Sequence, residues 1–119
     1  MSESNQSQLE QAEREIEISI EQAREMVDKK DKMDRLISNP DFNDLFTVGY
    51  MENESTRLVS LLADEEWQSE QKQQSLLDDM RAISGLRQYI MNIRALGRQM
   101  ERQISASQAT LEELREEGE

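Results

Sequence analysis

The fold of this chain is decided by residues 76–114, which read LLDDMRAISGLRQYIMNIRALGRQMERQISASQATLEEL. One series in this stretch recurs every seven residues, at Leu76, Ile83, Ile90, Gly97, Ile104 and Leu111. A second series follows three positions after the later members of the first, at Leu86, Ile93, Met100, Ser107 and Leu114. This spacing is the a/d pattern of a coiled coil, and polar Asp79 and Ser107 interrupt it. The pattern predicts a long α-helix with one buried edge.

The N-terminal third carries a weaker version of the same pattern. Its two series lie at Leu9, Ile16, Ala23, Lys30 and Ile37, and at Ala12, Ser19, Met26 and Met33. Ser7 and Glu10 have the spacing of a capping box, which predicts that the first helix starts near Gln8. Asn39 followed by Pro40 predicts the end of this helix, because a residue before proline is pushed out of the α region. Pro40 suits the first position of the next helix, with Asn39 as its cap.

These signals predict an all-α fold in a single domain spanning residues 1–119. The expected helices lie at about residues 7–38, 40–63 and 68–117, after a disordered tail at residues 1–6. The middle helix is expected to be kinked, since Thr47, Val48 and Gly49 are poor helix formers. The expected architecture is a long antiparallel helical hairpin or coiled coil, and a three-helix bundle is the alternative.

The charge distribution indicates which segments pair. Residues 41–66 hold seven acidic residues and one basic residue, Arg57, whereas residues 80–100 hold four arginines and no acidic residue. If the chain turns back near Trp67, the acidic segment lies antiparallel to the basic one. The core expected from this pairing consists of Phe42, Leu45, Phe46, Leu58, Leu62, Ile83, Leu86, Ile90, Ile93 and Met100.

Composition excludes several kinds of site. The 119 residues include 26 Asp and Glu against 14 Lys and Arg, for a net charge of −12, and no Cys or His. Disulfide frameworks, zinc fingers and Cys or His nucleophiles are therefore excluded. Adjacent acids such as Asp78 and Asp79 point away from each other on a helix, so neither carboxylate catalysis nor a metal site is expected. We expect no enzyme activity and no cofactor.

The same composition bears on partners. No apolar run approaches the roughly 20 residues that span a bilayer, and the polar N-terminal residues predict no signal peptide. A chain this acidic is repelled by the DNA backbone and by anionic lipid, so neither nucleic acid nor a membrane is an expected partner.

Two features are candidates for partner contacts. Four arginines make a stripe along one helix, which either pairs with acids of the same chain or binds an acidic partner: Arg87, Arg94, Arg98 and Arg102. Trp67 is the one apolar residue in the polar interval at the expected turn, and it either caps that turn or anchors a partner.

Part of the chain resembles small acidic helical proteins of tailed bacteriophages. The similarity covers about residues 36–117. It is carried by Asp41 and Phe42, Gly49 and Tyr50, Glu54, RLV at 57–59, LRQY at 86–89 and LEELR at 111–115. The resemblance implies a virion-associated or assembly protein, made in the cytoplasm of the bacterial host. Its implied partners are capsid, portal or tail proteins, or further copies of itself as a homo-oligomer, and no small-molecule substrate.

The expected function is therefore that of a non-enzymatic bacteriophage structural or assembly protein, acting through helix-mediated contacts in the head or tail particle. One alternative is a scaffold that is absent from the mature virion. Another is an acidic inhibitor that mimics DNA and blocks a host DNA-binding enzyme. The alternation of acids and bases along the first helix, as in Glu13, Arg14 and Glu15, is typical of an ordinary exposed helix face and argues against mimicry.

Overall fold

The computed structural model describes residues 3–118, which form an all-α fold with no strand in that range. Helix α1 spans Glu3–Ile37 and is followed by the short α2, Pro40–Phe42. A π-helix spans Asn43–Glu54 and continues into α3, Ser55–Leu62. A 3₁₀ turn at Glu65–Trp67 precedes α4, Glu70–Gly118. No helix of this range is both long and apolar enough to cross a membrane.

Most helix ends lie within two residues of the positions predicted from the sequence, and the start of α1 is the exception. The chain is already helical at Glu3, so the predicted disordered tail is wrong for residues 3–6; residues 1 and 2 lie outside the described range. Adding one residue to an existing helix costs little, so a helix can extend beyond a capping signal such as Ser7.

Side-chain caps start the helices that follow each break. The Asn39 side-chain oxygen accepts hydrogen bonds from the backbone N–H groups of Asp41 and Phe42, at 2.9 and 3.1 Å, as its position before Pro40 predicts. The Ser69 hydroxyl accepts a bond from the Lys72 N–H at 3.2 Å and caps α4 in the same way.

The chain divides into two units, of which the first combines residues 1–31 with residues 93–119. The two helices of this unit run antiparallel, since Glu17 pairs with Arg115 at 3.2 Å while Lys30 pairs with Glu101. Every described member of both a/d series in this unit is buried or partly buried. The buried members are Ala23, Gly97 and Leu111, and Ile20, which lies outside the two series, is buried beside them.

The second unit, residues 32–92, has its own hydrophobic core. The buried side chains are Met51, Leu58, Leu76, Ile83 and Ile90. Around them pack partly buried residues of every helical segment in the unit: Met33, Ile37, Phe42, Tyr50, Leu61, Leu62, Trp67, Met80 and Leu86. Of the other residues expected in the core, Ile93 and Met100 are partly buried in the first unit.

Leu45 and Phe46 correct the expected core, because their side chains are 68% and 44% exposed. Their placement assumed an α-helix, whereas residues 43–54 form a π-helix, which takes about 4.4 residues per turn. Met51 of this segment is buried, and the partly buried side chains of Phe42 and Tyr50 pack against the core. The wider turn moves Leu45 and Phe46 out of the core, and residues 47–49, where a kink was predicted, lie within this π-helix.

Gly49 is suited to the π-helix for a steric reason. A Cβ atom at this position would lie 2.8 Å from the carbonyl oxygen of Asp44, five residues earlier. That distance is too short for any side chain, so glycine is the residue that this turn accommodates without a shift of the backbone.

Candidate interaction surface

An open groove lies in the second unit between α4 and the segment formed by the π-helix and α3. It lies where each of these two segments has a position without a large apolar side chain. On α4, Asp79 stands at the position where the a/d pattern calls for an apolar residue. On the opposite side, Gly49 has no side chain. The space between them has a volume of about 530 Å³, and its apolar lining is formed by Leu45, Tyr50, Leu58 and Ile83.

Three carboxylates stand at the rim of this groove: Asp44, Glu54 and Asp79. Glu54 accepts a hydrogen bond from Arg57 Nε at 3.0 Å and a second from the same guanidinium, and these bonds hold the pKa of the Glu54 carboxyl below its usual range. The pKa of Arg57 is raised by the same bonds, and Asp79 raises it further through its charge. The groove therefore offers an apolar interior with an acidic edge.

Trp67 lies at the turn that joins the two segments of this unit. Its half-buried ring packs against the hydrophobic core, and the ammonium of Lys72 lies 5.4 Å from the ring centre. Its carbonyl accepts a hydrogen bond from Gln73 Nε2 at 2.7 Å. Trp67 thus covers the end of the core at the turn, and its contact with a partner stays a prediction.

The four arginines of the predicted stripe lie in different environments. Arg87 Nη2 donates to the Met51 carbonyl at 3.0 Å, near the end of the π-helix, and the Ser55 hydroxyl donates to the same oxygen at 2.7 Å. Arg87 therefore fastens α4 to the π-helix. In the first unit Arg94 is partly buried, whereas Arg98 and Arg102 are exposed. A role for these arginines in binding a partner stays a prediction.

A polar contact joins the two helices of the first unit. Lys30 occupies a position in the a/d series of α1, and its aliphatic chain lies against Gly97 of α4. Its ammonium pairs with Glu101 and with Asp31, the latter at 3.0 Å, and the hydrogen bond to Glu101 is the larger cause of the raised pKa of Lys30. A single polar residue in an apolar seam is a known means of fixing the register of paired helices.

Several large apolar side chains of the second unit are exposed. Besides Leu45 and Phe46, whose ring stacks on Phe42 with centroids 5.0 Å apart, Tyr89 is 62% and Met91 is 54% exposed. Isolated exposed apolar residues are ordinary on protein surfaces.

The sequence analysis singled out both Asp79 and Gly49 but did not predict that they line the same groove. Asp79 was visible as a polar break in the a/d pattern, and Gly49 as a poor helix former. That they face one groove depends on the π-helix, whose wider turn has no periodic signal in the sequence.

No known protein family matches the chain, and neither the curated proteins nor the solved structures include one that is significantly similar to it.

Proposed function

We propose that the chain is a non-enzymatic structural or assembly protein of a tailed bacteriophage, which works by binding other proteins through its helices. The observation that supports contact with a partner is the groove of the second unit, which is lined by apolar side chains and by the carboxylates of Asp44, Glu54 and Asp79. A groove between two helices suits a side chain projected by a third helix. The phage setting comes from the resemblance of residues 36–117 to small acidic phage proteins.

The net charge of the chain restricts the kinds of partner that this proposal allows. The net charge of −12 keeps the chain soluble and away from packaged DNA, so its contacts are with protein surfaces that tolerate or attract carboxylates. Capsid, portal and tail proteins are the proposed partners, together with further copies of the chain. Contacts of this kind require no covalent chemistry.

The test is mass spectrometry of particles purified from cells infected by a phage that encodes the chain. Mature virions and empty precursors are compared after separation on a density gradient. We expect the chain in mature particles at a constant ratio to the capsid protein. Presence in precursors alone assigns it to a scaffold, and absence from both kinds of particle overturns the proposal.

A second measurement separates this role from DNA mimicry. Several acids already pair with bases of the same chain, as Glu54 does with Arg57 and Glu17 with Arg115. Mimicry relies instead on dense rows of carboxylates that are open to a DNA-binding enzyme. The pure protein is therefore expected to leave nucleases and polymerases active at micromolar concentration, and strong inhibition would favour the mimic.

A further inference from the structure

We infer that the groove of the second unit binds an arginine side chain that a basic segment of another protein presents. The inference rests on the proposed function, because it names the kind of surface to which the chain binds. The groove is open, and its apolar lining includes Leu45, which is 68% exposed, and Tyr50, which is partly buried. Both side chains therefore offer apolar surface to another molecule.

The acidic surroundings of the groove favour a basic occupant. Residues 41–66, which include the π-helix side of the groove, hold seven acidic residues and one basic residue, Arg57. Arg57 is bound by Glu54, whereas neither Asp44 nor Asp79 makes an ion pair within the part of the chain that the structure describes. Asp79 affects Arg57 through its charge alone. Two carboxylates of the groove are therefore left to attract a positive charge that another molecule supplies.

The mixture of apolar and acidic groups suits arginine among the positively charged groups. A metal ion requires several converging oxygen ligands, and no three acidic side chains of the described residues are placed to hold one. An arginine has an apolar stem that matches Leu45 and Tyr50, and its planar guanidinium binds a carboxylate through two hydrogen bonds. Arg57 already holds Glu54 through two such bonds at the edge of the groove. The guanidinium also stacks on aromatic rings, and Tyr50 supplies one.

The net charge of the chain makes another protein, and not a second copy, the source of this arginine. Each copy carries a charge of −12, so two copies repel each other over their whole surfaces. A segment of another protein that is rich in arginine and lysine is attracted instead, and such complementarity speeds association and excludes wrong partners. The partner of the groove is therefore a protein with a basic surface.

The first experiment titrates the full chain with the acetylated amide of arginine, which stands for the side chain of the partner. Binding is followed by NMR through the methyl groups of Leu45 and Ile83, which lie on the two sides of the groove. The matched ligand is the acetylated amide of citrulline, which has the same apolar stem and no charge. We expect the arginine derivative to shift these signals and to bind at least about threefold more tightly than the citrulline derivative, the effect of a surface ion pair.

The second experiment removes the charges of the groove. Asp44→Asn combined with Asp79→Asn should weaken binding of the arginine derivative at least about threefold. The control combines Glu52→Gln with Asp78→Asn, which removes the same charge from the same two helical segments at residues that do not line the groove. At about 0.15 M salt, where distant charges are screened, the control should change the dissociation constant by less than about 1.5-fold. Circular dichroism establishes that both variants keep their helices.

Three results of the titrations would overturn the inference: unchanged signals of Leu45 and Ile83, equal binding of the two derivatives, or equal weakening by the two double variants. Sedimentation equilibrium of the pure chain adds a fourth. A dimer that the Asp44→Asn and Asp79→Asn variant dissociates would mean that a second copy fills the groove. All of these measurements use the purified protein, so their outcome is independent of whether the chain is found in phage particles, and the two proposals fail separately.

Discussion

Gly97 allows two helices of the first unit to approach closely around the side chain of Lys30. A Cβ atom at Gly97 would overlap the Cβ of Lys30 and lie 2.7 Å from its Cγ. The lysine side chain is only 11% exposed, and its ammonium reaches Glu101 and Asp31. Glycine in the a/d series is thus explained by the lysine opposite it, and the two residues act as a pair.

Alanine substitutions at two glycines of α4 test this pairing. In an open helix, Gly→Ala stabilises by about 0.5–1 kcal/mol, and Gly85→Ala should show that gain because its Cβ meets no neighbour. Gly97→Ala should instead lower the free energy of unfolding by about 1–2 kcal/mol net, because the overpacking against Lys30 destabilises by more than the higher helix propensity of alanine stabilises. Both values come from urea unfolding followed by circular dichroism. A gain in stability at Gly97 would mean that the helices do not approach as described.

Burial in the second unit provides a matched pair of leucines. Leu58 is 1% exposed and Leu45 is 68% exposed, although both were expected in the core. Leu58→Ala should cost about 2–5 kcal/mol, the usual range for a buried leucine, whereas Leu45→Ala should cost less than about 0.5 kcal/mol. Fluorescence of the single tryptophan, Trp67, which packs on the same core, reports the unfolding of this unit. If the two substitutions lowered the free energy of unfolding equally, the outward position of Leu45 in the π-helix would be contradicted.

At the scale of the element, the π-helix determines what could and could not be predicted from the sequence. Heptad spacing predicted the buried edge of α4, from Leu76 to Leu114, because an α-helix imposes one period on its core residues. The same period failed at Leu45 and Phe46, where the helix changes to a wider turn. Propensity marks Gly49 as a poor helix former, but it does not distinguish a kink from a π-helix. That distinction depends on the fit between Gly49 and the carbonyl of Asp44.

Gly49→Ala tests whether this element is a π-helix in solution. If residues 43–54 were α-helical, alanine would stabilise the chain by about 1 kcal/mol. In the π-helix its Cβ would lie 2.8 Å from the Asp44 oxygen, so we expect a loss of about 1–3 kcal/mol. The sign of the change in unfolding free energy therefore decides between the two helix types, with Gly85→Ala as the α-helical control.

At the scale of the whole molecule, an excess of carboxylates governs the electrostatics. Apart from the pairs that the largely buried Lys30 makes, ion pairs such as that of Arg81 with Asp78 at 3.7 Å and that of Arg115 with Glu17 at 3.2 Å lie at the surface, where each contributes little to stability. The net charge of −12 acts in the opposite direction, because like charges repel more strongly in a folded chain than in an extended one. Repulsion across the chain should therefore outweigh the local pairs.

Salt should consequently stabilise the fold. Raising sodium chloride from about 0.01 M to about 0.15 M shortens the screening length from about 30 Å to about 8 Å, which weakens the repulsion between carboxylates. We expect the thermal unfolding midpoint to rise by a few degrees. Near pH 4.4, the isoelectric point of the sequence, the net charge is close to zero and the same salt step should leave the midpoint nearly unchanged. A midpoint that falls with salt at neutral pH would show instead that the ion pairs, and not the net charge, dominate the stability of the chain.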